Sequence, residues 1–259
     1  FTTHVIELDR ESVSYLETQY PELSDRIYST VFIGLDLTKL TEGQFALIGN
    51  FPYNISSQIL FKALEYKEQV PEIVGMFQKE VAERVASGPG NKKYGIISVL
   101  LQAFYDIEYL FTVEPEVFDP PPKVKSGVIR LRRNQKEKLD CNERFFKRVV
   151  KQSFSQRRKT LRNALKPLIG KSGFEDQLLS QRAERLSVED FVYLTNKLEN
   201  IEFRCFKYIT DNADKNSNID WNENLALGIN AFSKFINEEV FILFSDQPLN
   251  QNFILSPKE

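Results

Sequence analysis

Residues 45–64 read FALIGNFPYNISSQILFKAL. Phe45 to Ile48 form a compact apolar run that stops at Gly49, Asn50, Phe51, Pro52 and Tyr53, and glycine and proline there break a strand into a stiff turn. Ser56 or Ser57 stands where a helix N-cap belongs, and Ile59, Leu60, Ala63 and Leu64 recur at the spacing of one buried helix face. Strand, stiff turn and helix in that order are the repeating unit of an α/β sheet. Open sheets of this kind carry their reactive loops at the carboxyl ends of the strands.

The flanking sequence extends the pattern in both directions. Val5 to Leu8 is a short apolar strand and Glu11 to Tyr20 a helix that Pro21 ends, while Arg26 to Leu37 is rich in β-branched and aromatic residues. Downstream, Glu72 to Phe77 is a second buried strand and Gln78 to Val85 a helix at the sheet edge. After the turn at Gly88, Pro89 and Gly90, Ile97, Leu100, Leu101 and Phe104 predict a helix from Tyr94 to Tyr109. Pro120, Pro121 and Pro122 stiffen the approach to a closing strand, Gly127 to Leu131. The alternation predicts parallel crossovers.

From Asn142 the pattern is helical only, with Phe146, Val150, Phe154, Leu161, Leu165 and Leu168 apolar. Ser187 to Asp190 form a capped start for a last helix, Val188 to Leu198. Three segments follow: an α/β domain over 1–134, a helical domain over 135–200, and an acidic, Asn-rich extension over 201–259. The extension holds strand-like runs at Phe203 to Ile209 and Val240 to Phe244 around a possible helix, Ala226 to Phe235.

Composition removes several classes of function. A 42% hydrophobic fraction supports a core, 27% charge and the lack of any run near ~20 apolar residues argue against a membrane span, and no signal peptide opens the sequence. Two cysteines, Cys141 and Cys205, and one histidine, His4, give no material for a disulfide framework, a Cys/His zinc site or a His-based triad. A reducing, cytoplasmic setting follows. The net charge of −2 is unevenly spread: Arg144 to Lys171 holds ten Lys or Arg and no acid, whereas 201–259 holds five basic and nine acidic residues. The basic block is where a polyanion would dock.

Asn50 offers a carbonyl acceptor and an amide donor, proline stiffens its loop, and the aromatics can stack on a nucleobase. The corner could hold a planar, amine-bearing base, or its Asn and Pro could be plain turn residues. Six ordered blocks extend the motif: VIELD at 5–9, GNFPYNIS at 49–56, FQKEVAERV at 77–85, YGIISVLLQAFY at 94–105, VFDPPPKVKSGVIRL at 117–131 and FSQRRKTLRNAL at 154–165. Over residues 4–198 the chain resembles the ribosomal RNA adenine dimethyltransferases, S-adenosylmethionine-dependent enzymes that dimethylate the exocyclic amines of two adjacent adenosines in small-subunit rRNA.

The resemblance implies a Rossmann-like methyltransferase sheet followed by a small all-helical domain, and a monomer acting on small-subunit rRNA within an immature ribosomal subunit, away from any membrane. It also implies roles. Glu7 would bind the cofactor ribose, as would Asn50 lie at the cofactor; Asn50 and the Pro52 carbonyl would orient the target amine; Tyr53 would stack on a flipped adenine, and Phe118 would close the other side. Arg157, Arg158, Lys159 and Arg162 would grip RNA phosphates.

Three departures from the family pattern stand out. The glycine-rich cofactor loop and its strand belong upstream of VIELD, before the point where this sequence opens. An unfilled sheet position between 5–8 and 45–48 is the expectation, with very weak S-adenosylmethionine binding by these 259 residues alone. Aligned through Phe32, Leu35 and Asp36, Val31 occupies the position of the acid that reads the cofactor adenine, with Thr30 for a glycine, and Lys125 replaces another usual acid. Competing readings are a macrolide-resistance methyltransferase of large-subunit RNA and a non-catalytic RNA-binding assembly factor.

Overall fold

The computed structural model describes residues 2–170 and 172–211, with side chains described up to residue 201. The described residues up to 204 form one compact unit. The expected strand at Val240 to Phe244 and helix at Ala226 to Phe235 lie outside the described residues.

Among the described residues, six strands make two sheets. β1 (Val5–Glu7) pairs in parallel with β2 (Ile27–Ser29). β3 (Leu47–Asn50), β4 (Glu72–Gln78), β5 (Tyr105–Val113) and β6 (Ser126–Arg133) form a sheet of order β3-β4-β6-β5. The β3–β4 pair is parallel, but β6 runs antiparallel to both β4 and β5, so the expectation of parallel crossovers throughout is corrected to a mixed sheet. β1 and β3 do not pair with each other, and each is an edge among the described residues.

Short helices connect the strands. α1 (Arg10–Gln19) starts at Asp9, whose carboxylate accepts from the Ser12 amide at 2.8 Å; that bond holds its carboxyl below the ordinary value. α2 (Ser56–Glu65) buries Ile59, Leu60, Ala63 and Leu64 as the spacing requires, the larger of these stabilising the fold by about 1.5–3 kcal/mol each. α3 (Lys79–Ala86) and α4 (Ile96–Gln102) follow. The long helix expected to reach Tyr109 ends at Gln102 and gives way to β5. There Tyr105, Ile107 and Tyr109 alternate toward the core, with a bulge between Tyr109 and Phe111.

Beyond β6 the described elements are all helical: α5 (Glu143–Phe154), α6 (Leu161–Ala164), α7 (Lys166–Ile169), two 3-10 turns at Gln177–Ser180 and Ala183–Arg185, and α8 (Val188–Asp211). α8 is reciprocally capped, Ser187 Oγ accepting from the Asp190 amide at 3.1 Å and Asp190 accepting from the Ser187 amide at 2.9 Å. The helix runs on through 203–209, where an aromatic-rich run suggests a strand; an uninterrupted helix upstream decides the local conformation instead. One contiguous core joins sheet and helices, from Leu60 and Phe77 to Phe146, Phe191 and Leu198. Among the described residues no helix is long and apolar enough to cross a membrane, and no three metal-ligating side chains cluster.

Candidate active site

The Asn50 corner is built on two glycines. β3 and β4 pair in a register that sets Gly49 opposite Gly75, leaving a flat spot on the sheet with no Cβ. The Phe51 ring lies on it: a Cβ on Gly49 would come within 3.1 Å of that ring and one on Gly75 within 2.4 Å. Phe77 packs against the same ring at 5.2 Å between centroids. The Phe51 amide donates to the Met76 carbonyl at 3.2 Å, so strand pairing continues one residue past Asn50. Asn50 is therefore carried on an anchored backbone with its side chain exposed at the carboxyl end of β3.

The turn closes on its own backbone. The Pro52 carbonyl accepts from the Ile55 amide at 3.2 Å and from the Ser56 hydroxyl at 3.1 Å. The same hydroxyl lies 3.1 Å from the Tyr53 carbonyl. Ser56 thus reaches back into the corner from the first residue of α2 and does not cap it; the cap position is Ile55, without a side-chain bond.

Tyr53 is half-buried, and its hydroxyl meets Ser126 Oγ at 2.5 Å. Ser126 is fully buried at the start of β6. The segment that delivers it carries Phe118, half-buried with its amide on the Pro115 carbonyl at 3.1 Å, and a cis Asp119–Pro120 peptide. The Tyr53–Ser126 bond therefore ties the Asn50 corner to the Phe118 loop. Sequence reasoning missed Ser126 and the Phe51 seat, because both depend on pairings between distant segments. Replacing Ser126 with alanine, or Tyr53 with phenylalanine, is expected to cost about 1 kcal/mol in urea unfolding. The double variant should cost little more than either single one.

Glu7 ends β1, in the two-stranded sheet and not in the sheet that carries Asn50. Its Oε1 accepts from the Leu8 and Asp9 amides at 2.8 and 2.9 Å, which fixes the carboxylate's orientation. Val31 is 43% exposed at the cap position of the 3-10 turn Phe32–Gly34, with no side-chain cap. The next acid, Asp36, is committed to Thr38 and the Tyr66 hydroxyl, with the Thr38 hydroxyl foremost in holding its carboxyl below the ordinary value. His4 sits against Tyr28, 3.3 Å from its hydroxyl. Cys141 is half-buried, and burial pushes its thiol up to about 11, unsuited to a thiolate nucleophile.

The basic block divides. Arg157 Nη2 donates to the carbonyls of Lys92 and Tyr94 at 2.7 and 2.9 Å, and Arg162 forks onto Glu175 with both bonds at 2.5 Å. Arg158 and Lys159 are exposed, and among the described residues neither pairs with a carboxylate.

The family model described as ribosomal RNA adenine dimethylase matches residues 5–200. The chain belongs to the ribosomal RNA adenine dimethylase family. This dimethylase is 60% identical over 193 residues to a ribosomal RNA small subunit methyltransferase A of Parabacteroides distasonis, covering 74% of this chain and 73% of that protein. A protein of the same description from Bacteroides thetaiotaomicron is 57% identical over 198 residues, covering 75% and 74%. Among solved structures, a dimethyladenosine transferase from Plasmodium falciparum superposes with a TM-score of 0.62 at 20% identity, covering 76% of this chain and 82% of that one. The 23S rRNA methyltransferase ErmE gives a TM-score of 0.54, also at 20% identity, covering 75% and 80%. These two likenesses speak to the fold, which in the dimethylase is Rossmann-like with a helical part.

Proposed function

We propose that the chain dimethylates the exocyclic amines of two adjacent adenosines in small-subunit rRNA, on an immature ribosomal subunit in the cytoplasm, as a monomer. The observation that carries this reading is the anchored Asn50-Phe51-Pro52-Tyr53 corner in a chain 57–60% identical to small-subunit methyltransferases. That identity favours the small subunit over the large-subunit alternative, and membership of an enzyme family disfavours a purely non-catalytic factor. Residues 1–134 are read as the methyl-transferring part and 135–200 as the part that grips RNA.

S-adenosylmethionine, when bound, supplies a methyl group on a sulfonium that leaves as a neutral thioether, so the protein need do little acid or base chemistry. Its residues fit that cofactor in part: Glu7 has an oriented carboxylate for ribose hydroxyls, while Val31 offers no acceptor to the adenine. Asn50 Oδ1 and the Pro52 carbonyl accept the two hydrogens of the target amine, which directs its lone pair and steadies the positive charge that develops on nitrogen. The Pro52 carbonyl keeps one lone pair on the Ile55 amide, and its other opens to the amine when Ser56 shifts wholly to its second acceptor, the Tyr53 carbonyl. Tyr53 and Phe118 hold the extruded base between them, since a base within an RNA stack cannot reach the methyl group.

The test is methyl transfer from labelled S-adenosylmethionine by the full-length protein to immature small subunits and, separately, to large subunits. Label is expected in the small subunit alone; label confined to the large subunit would overturn the assignment. Val31→Asp gives a second check. It is expected to raise cofactor affinity in calorimetric titration and, by capping the turn at 32–34, to raise stability by about 0.5–1 kcal/mol.

A further inference from the structure

Each residue of the loop 88–93, GPGNKK, is exposed, yet the loop is fastened at several points. The Gly90 amide donates to the Glu184 carbonyl at 2.7 Å, and Gly90 adopts a φ of 86° that few other residues tolerate. Asn91 Oδ1 accepts from the Lys93 amide at 2.9 Å, and the Tyr94 amide donates to the Asn91 carbonyl at 3.1 Å. Tyr94 is fully buried. Arg157 then reaches from the middle of the basic block to the carbonyls of Lys92 and Tyr94 on either side of Lys93.

The charges are sorted as well. Lys93 is neutralised by Glu83, whereas Lys92 is exposed and, among the described residues, pairs with no carboxylate. Arg185 lies beside the loop, its Nη1 3.6 Å from where a Gly90 Cβ would stand. Arg157 and Arg185 thus bring basic residues of two other segments against the loop that carries Lys92, and Arg158 and Lys159 are the next residues in the chain after the Arg157 strut.

We propose that the 88–93 loop is an additional contact for the RNA phosphate backbone, with Lys92 meeting a phosphate and Arg157 acting as the positioning residue that holds the loop. The proposal rests on the reading of 135–200 as the RNA-gripping part. RNA suits the surface better than a protein partner: apart from the small ring of Pro89 the loop carries no aromatic or aliphatic residue to anchor an interface, and the glycines of its Gly-Pro-Gly tip let a backbone approach closely.

The experiment is equilibrium binding of the full-length protein to immature small-subunit RNA across a range of salt. Lys92→Ala is expected to weaken binding about three- to fivefold near physiological salt and to make the log–log salt slope shallower by about 0.9 or less. Arg157→Lys keeps the charge but cannot straddle two carbonyls. It should weaken binding comparably, and adding Lys92→Ala to it should cost little more. Unchanged affinity and slope in Lys92→Ala, while Arg158→Glu with Lys159→Glu weakens binding, would overturn the loop contact alone. Wild-type binding by Arg157→Lys would overturn the strut. If the Arg158 and Lys159 variant also binds normally, the reading beneath the proposal falls with it.

Discussion

Asn50→Ala is expected to lower single-turnover methyl transfer to immature small subunits by about 100-fold or more, the scale seen when one preorganised polar group is removed from a developing charge. Binding of RNA and thermal stability should stay near wild type, because the Asn50 side chain is exposed at the end of β3. The loss belongs to orientation: without Oδ1 one amine hydrogen has no fixed acceptor, and the nitrogen lone pair is no longer aimed. Asn50→Asp retains an acceptor and should recover part of the rate, which a purely structural role would not predict.

Gly75→Ala is expected to have the second largest effect. The added methyl would lie 2.4 Å from the Phe51 ring and 2.8 Å from Phe77, so both packed rings must give way, Phe51 the further. Overpacking of this kind costs about 1–3 kcal/mol, readable as a lower midpoint in urea. The Phe51 shift also carries Asn50 and Tyr53 with it, and a displacement near 1 Å at a positioned group lowers rate by about 100-fold. Gly34→Ala is the control: its Cβ would meet nothing within 4 Å, and both stability and rate should hold.

Much of this site is legible in residues 45–64. The strand-turn-helix order and the helix face from Ile59 to Leu64 are local patterns that the structure keeps. The break expected at Gly49 moves: β3 runs from Leu47 through Gly49 to Asn50, because Gly49 pairs with Gly75 inside the sheet. The glycine seat is not local: Gly49 and Gly75 become meaningful only when β3 and β4 pair in one register. The same holds for Ser126, whose partner Tyr53 lies on another loop. Two elements misled for the opposite reason. Helical spacing through Phe104 ran into the two-residue alternation of β5, and the aromatic-rich run at 203–209 is absorbed into α8. The basic block shows its charge in the sequence but not its division of labour. Arg157 lies in a run that suggests solvated cations, yet backbone carbonyls from a loop far away in the chain occupy it.

The claim on which the rest depends is that Tyr53 receives an adenine turned out of its RNA stack. A small-subunit RNA carrying the fluorescent analogue 2-aminopurine at the target position tests it on binding alone. Extrusion should change its emission on binding of the wild-type protein, and Tyr53→Ala, bound to the same extent, should leave the base brighter because no ring quenches it. Emission equal to that of free RNA with both proteins at saturation would contradict the account.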